Sequence, residues 1–174
     1  MKKTIAMLVM MAASARTPSV AADAPMGHYD DPAYGFSMVI PPLASSAGAP
    51  IVQRLAVGAP VRDGFAANCN VQIQFSKDDF DSFIDLSRRQ FAAEGLKVLQ
   101  QSPKKVSGQP AIVWEYTGQL AGHDLHFLAL AVYGGDRVWL LTCSALAKTF
   151  ADSKQAFGEV IDSFTVTKPT PGHS

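Results

Sequence analysis

The sequence predicts an α+β domain: a largely antiparallel β-sheet covered by two amphipathic helices, arranged as an α/β/α sandwich. Three observations carry this. The stretch from Gln109 to Ala145 is a succession of β-rich apolar runs, PAIVWEYTGQL, LHFLALAVY and VWLLTCSA, separated only by AGHD and GGDR. Runs of that length joined by short Gly-containing connections read as hairpins, so this segment is a three-stranded meander. Both parities of the meander are apolar: Ile112, Trp114 and Tyr116 against Val113, and Phe127, Ala129 and Ala131 against Leu128, Leu130 and Val132. A sheet that is apolar on both faces needs cover on both. Two stretches with helical periodicity, one before the meander and one after it, supply that cover.

The chain opens with MKK, an apolar run from Thr4 to Ala13 and the small residues Ser19-Val20-Ala21-Ala22. A positive start, a short apolar core and small residues before a cut are the pattern of a secretory leader, expected over 1–22 with cleavage after Ala22. The apolar run is shorter than the roughly 20 residues that a membrane span requires. No other run approaches that length, so the mature chain is expected to have no membrane span. Of the 15 basic side chains, Lys2, Lys3 and Arg16 leave with the leader and no acid does; 12 then face 15 acids, a formal charge of −3. That balance, with only the pairs Arg88-Arg89 and Lys104-Lys105 as basic clusters, argues against nucleic acid as a partner.

Residues 23–33 are polar and interrupted by Pro25 and Pro32, and read as a flexible arm. The single domain is expected over 34–168. Tyr34 to Pro42 forms a short strand with Phe36, Met38 and Ile40 on one face, ended by two prolines. Leu43 to Pro50 is a loop, Ile51 to Val57 a strand, and GAPVRDGF at 58–65 is turn chemistry. Asn68 to Phe75 alternates cleanly, with Cys69, Val71, Ile73 and Phe75 on one side and Asn68, Asn70, Gln72 and Gln74 on the other.

Ser76 is placed to cap the first helix, whose apolar stripe is Phe80, Phe83, Ile84 and Phe91 and whose end is set by Gly95. Leu96 to Gln100 is a strand, and Ser107-Gly108-Gln109 turns into the meander. The second helix covers Leu146 to Asp162, with Leu146, Phe150, Phe157, Val160 and Ile161 as its stripe. Ser163 to Lys168 is a last edge strand, and 169–174 a disordered tail.

Taken together, YGFSMVIPP at 34–42, ANCNVQIQF at 67–75, GQPAIVWEYTG at 108–118 and the closing helix ending IDSFTV at 161–166 resemble the PsbP-like, or Mog-type, fold family. That family includes the plant photosystem II extrinsic protein, the Ran-binding Mog proteins and bacterial periplasmic DcrB-like members of unassigned role. The resemblance covers nearly all of the expected mature chain. It implies a non-enzymatic protein that acts by binding other proteins, and it carries over no functional residue.

Four groups of residues are candidates for chemistry. Cys69 and Cys143 lie on apolar strand faces, and an even cysteine count in an exported chain reads as a disulfide. A loop of that size is worth roughly 4 kcal/mol in the chain-entropy picture. If Tyr133 opposes Asp136 across the Gly134-Gly135 turn, His126 falls opposite Cys143, with Glu115 diagonal to it. A thiol, an imidazole and a carboxylate on one face are the parts of a thiol enzyme; a mid-strand cysteine that also has Cys69 to pair with is more simply structural. His123, Asp124 and His126 have the residue types of a metal site, but 123 and 126 have opposite strand parity, so both could ligate only with His123 in the turn and two further ligands from elsewhere; a polar hairpin turn with one half-buried histidine is the expected reading.

Trp114, Tyr116, Phe127 and Trp139, with Tyr133, form an aromatic group that fills a sheet–helix interface or else a partner patch. No cofactor is called for by any motif. The function expected is an exported, non-enzymatic protein-binding or envelope-assembly module, periplasmic or else secreted, with an envelope protein as partner. The alternatives are a periplasmic small-molecule carrier with a pocket between sheet and helix, and a thiol enzyme built on Cys143 and His126.

Overall fold

The structure, a computed structural model, describes residues 27–40, 44–45, 53–75 and 78–167. The expected leader at 1–22, the tail at 169–174 and Ser76 lie outside the described residues. The described elements are β1 (Gly27–Asp31), β2 (Phe36–Ile40), β3 (Ala44–Ser45), β4 (Gln53–Gly58), β5 (Asn68–Phe75), α1 (Phe80–Ala93), β6 (Lys97–Val106), β7 (Gln109–Leu120), β8 (His123–Tyr133), β9 (Arg137–Leu146), α2 (Phe150–Ser163) and β10 (Thr165–Val166). A short 3-10 turn at Ala147–Thr149 leads into α2.

Seven strands form one antiparallel sheet in the order β3-β4-β5-β9-β8-β7-β6. The expected meander is its centre, and β6 extends it to four strands. β5 pairs with β9, so the chain must cross from the middle of the sheet to its far edge to start β6, and α1 is that crossing. Asp79 caps α1, its carboxylate accepting the backbone N–H of Ser82 at 2.8 Å. At the other end Gly95, at φ 69°, adopts the left-handed conformation. Its N–H donates to the carbonyl of Ala92, and that of Leu96 to the carbonyl of Phe91 at 2.8 Å. This is the Schellman pattern expected from a glycine after the last helical turn.

The two sheet faces bury different sets. On one, Phe83 and Phe91 of α1 meet Trp114, Tyr116, Phe127, Ala129 and Leu140. On the other, Phe150, Phe157, Val160 and Ile161 of α2 meet Cys69, Val71, Leu130, Trp139, Leu141 and Cys143. One helix thus covers each face. The second face is completed by a small sheet of order β1-β2-β10, which contributes Phe36, Met38 and Val166, with Phe164 beside it.

Three expectations are corrected. The arm at 23–33 is not arm throughout, since Gly27–Asp31 is strand β1 and pairs residue for residue with β2. Pro32 falls in the following turn, where the buried Asp31 carboxylate accepts the N–H of Tyr34 at 3.1 Å, so proline interrupts nothing. The strand at 96–100 runs instead from Lys97 to Val106 and contains Pro103. β6 is the edge of the sheet, where a residue without an N–H is tolerated. The cap of α1 is Asp79, three residues beyond Ser76.

Candidate functional site

The residues singled out from the sequence do not converge on one site; the fold separates them. Cys69 and Cys143 oppose each other in the β5–β9 register and form a disulfide, with Cα atoms 4.0 Å apart. Both are almost fully buried beneath α2, and the chain has no free thiol. The β8–β9 connection is longer than a two-residue turn. Gly134 N–H donates to the Arg137 carbonyl at 2.9 Å, and Tyr133 opposes Val138 rather than Asp136. The register therefore moves by two, so that Cys143 opposes Leu128 and His126 opposes Ala145. The arrangement required for a Cys143–His126 enzyme does not form.

His126 and Glu115 do meet. Their strands pair as expected, Glu115 opposite Leu128 and Thr117 opposite His126. The His126 Nε2 and Glu115 Oε1 lie 2.9 Å apart, both side chains largely buried. The sequence did not reveal what surrounds them. Lys154 of α2 donates to both Glu115 carboxylate oxygens at 3.2 Å. The His126 ring lies flat on Phe150, centroids 3.6 Å apart and planes 4° from parallel. Phe150 and Lys154 are one helical turn apart, so the first turn of α2 is clamped to the sheet by an aromatic stack and an ion pair side by side. Chemically this is a helix tether. His123 projects on the other side, its ring packed against Phe65 at 5.8 Å. Among the described residues no group of three or more metal-ligating side chains comes together.

The aromatic group is likewise divided. Trp114, Tyr116 and Phe127 are buried under α1, Tyr116 stacked on Phe127 at 4.7 Å and on Phe91 at 4.8 Å. Trp139 is on the opposite face, its indole N–H donating to the Tyr34 carbonyl at 2.8 Å. None of the four offers a surface for a partner. The Tyr116 hydroxyl is buried with no hydrogen-bond partner among the described residues, and burial pushes its ionisation far above the usual tyrosine range. Trp114 donates its indole N–H to Gln101 at 3.1 Å, which fastens the edge strand β6 to the core.

Exposed apolar side chains lie elsewhere, at Val61, Phe75, Val98 and Leu99. Phe75 is 68% exposed and sits under the Arg137 guanidinium, 5.4 Å from the ring centre; Arg137 is in turn held by both oxygens of Asp136 at 2.8 Å. Sequence periodicity had placed Phe75 with the buried set of β5. It lies at the last position of the strand.

An antiparallel sheet between two helices, with a small sheet closing one face, defines this as an α+β domain. No profile of a known protein family matches the chain, and no curated protein matches it in sequence. Solved structures do match. The cyanobacterial PsbP protein CyanoP of Synechocystis sp. PCC 6803 superposes with a TM-score of 0.62 at 17% identity, over 86% of this chain and 98% of that one. PA94 of Pseudomonas aeruginosa, described as a protein of unknown function, gives 0.57 at 17% identity over 84% of this chain and all of its own. LpqN of Mycobacterium tuberculosis, described as involved in cell envelope biogenesis, gives 0.52 at 13% identity over 73% and 86%. The likeness is one of fold.

Proposed function

We propose that this chain is an exported, non-enzymatic binding module of the cell envelope, periplasmic or secreted, whose partner is an envelope protein, and that it belongs with the DcrB-like members of its fold. The observation that carries the reading is the buried Cys69–Cys143 disulfide. Such a bond persists in an oxidising compartment, and it occupies both thiols of the chain. The His126–Glu115 pair is engaged with α2, and its neighbours Phe150 and Lys154 make it a structural seam. The fold shared with LpqN supports an envelope setting. A carrier would need room between α1 and the sheet, where the rings of Phe83, Phe91, Trp114 and Tyr116 pack. Among the described residues no helix is long and apolar enough to cross a membrane.

The test is the intact mass of the protein recovered from its native compartment, alkylated before and after reduction. A mass that lacks residues 1–22, with no alkylation until reductant is added, is the expected result. A retained leader, or ready alkylation of Cys143 at neutral pH, would overturn it.

A further inference from the structure

The strand β6 is one edge of the seven-stranded sheet, paired among the described residues with β7 alone, and its residues Lys97 to Gln101 are exposed in succession. Two of them are the apolar Val98 and Leu99, at 37% and 48% exposure. The strand itself is basic, with Lys97, Lys104 and Lys105 and no acid. From Leu86 to Trp114 the sequence carries five basic side chains, Arg88, Arg89, Lys97, Lys104 and Lys105, and one acid, Glu94. Arg88 reaches the edge itself, its Nε 3.4 Å from Gln101 Oε1, while it also pairs with Asp85; Lys104 pairs with Asp162 of α2.

Val106 and Gln109 flank the tight turn into β7 and so exchange hydrogen bonds; counting back, Lys105, Pro103 and Gln101 direct their backbone groups outward. Pro103 removes one outward donor. The carbonyls, and the N–H groups of Gln101 and Lys105, are left for another strand.

We propose that this edge accepts an extended, acidic segment of a partner protein as an eighth strand, which specifies the partner chemistry of the binding-module reading and rests on it. Lysines and a proline on an edge are also the usual guard against self-association. The two roles agree, because specificity is a difference between partners. Antiparallel pairing of two copies of β6 about its middle sets Lys97 of each against Lys104 or Lys105 of the other. Like charges across a ladder are destabilising, so a second copy is disfavoured. An acidic strand meets Lys97 and Lys104 on one face of the ladder favourably, and its alternate apolar side chains reach Val98 on the other.

The test titrates the full chain with an alternating Glu–Val peptide of about eight residues, the length of an ordinary strand. The expected result is slowed amide exchange and shifted resonances at Gln101 and Lys105, with no response to the matching Lys–Val peptide. Lys97→Glu with Lys105→Glu is expected to weaken binding about tenfold or more, an effect that raised salt reproduces, while the melting temperature holds. An equal response to both peptides, a response elsewhere, or none would overturn the assignment. In cells, photo-crosslinkers at Leu99 and, separately, Phe75 divide the two claims. An adduct at Leu99 that the double charge reversal abolishes sustains both. An adduct at Phe75 alone overturns the edge assignment and leaves the binding module standing; no adduct at either position overturns both.

Discussion

Cys69 and Cys143 face each other directly across neighbouring strands of one sheet, so their disulfide ties β5 to β9 within a layer instead of linking two layers. These strands are 74 positions apart in sequence, and their pairing joins the β3–β5 part of the sheet to the meander. Replacing both cysteines by alanine is expected to cost about 2–4 kcal/mol in denaturant unfolding, with the fold retained. An unchanged midpoint would show that the strand pairing holds without the bond.

Tyr116 is expected to be more useful without its hydroxyl. A buried phenol with no partner forfeits its hydrogen bonds to water, which costs on the order of 1–3 kcal/mol, so Tyr116→Phe should raise the unfolding midpoint. The two proteins should also diverge in alkali. The folded-state ionisation of Tyr116 is raised by burial, so the folded protein keeps the proton after the unfolded chain has lost it. Stability is therefore complete below about pH 10, the ordinary tyrosine value, and falls as pH rises beyond it. Tyr116→Phe should lack that component of the alkaline loss.

The seam between α2 and the sheet has two parts of unequal strength. Phe150 is buried and stacked on His126, whereas Lys154 is more than half exposed. Phe150→Ala is expected to cost about 3–5 kcal/mol, as for other buried aromatic residues. Lys154→Ala is expected to cost less than about 1 kcal/mol, because solvent screens its pair with Glu115. Equal losses in thermal unfolding would mean that the ion pair holds the helix as firmly as the ring stack does.

Asp79→Ala should fray the start of α1, seen as faster amide exchange at Ser82. The backbone and side-chain hydrogen bonds from Ser82 hold the Asp79 carboxyl below its usual range. A depressed acid stabilises above its unfolded value and loses that contribution as pH falls through its folded one. The difference between Asp79→Ala and the parent should thus be full near neutrality and shrink below the ordinary aspartate value near 4.

Local patterns in the sequence were sufficient for much of this architecture. The alternation of Cys69, Val71 and Ile73 placed the inner face of β5, and Phe83 and Phe91 marked the buried side of α1. Gly95 marked the end of α1. What failed depended on partners distant in sequence. β1 is polar and short, and it is a strand because β2 lies beside it, with Tyr29 packed on Phe36. The β8–β9 register turned on a connection two residues longer than a Gly-Gly pair suggests, and that alone separated His126 from Cys143. Lys154 carried no sign of its role, since nothing in α2 indicates that Glu115 lies beneath it.

The small sheet brings β2 together with β10, and the Ser37 and Thr165 hydroxyls meet at 2.6 Å across 128 positions of chain. Most of the large sheet pairs hairpin by hairpin and is complete by Leu146. The small sheet must wait until the far end of the domain is available, and closing a loop of that size is entropically the slowest kind of contact to make. The small sheet is therefore expected to close last when the chain folds, with Phe36, Met38, Phe164 and Val166 among the last core residues to leave water. Until then, the part of the face that β2 and β10 cover is the last of the core left to the solvent.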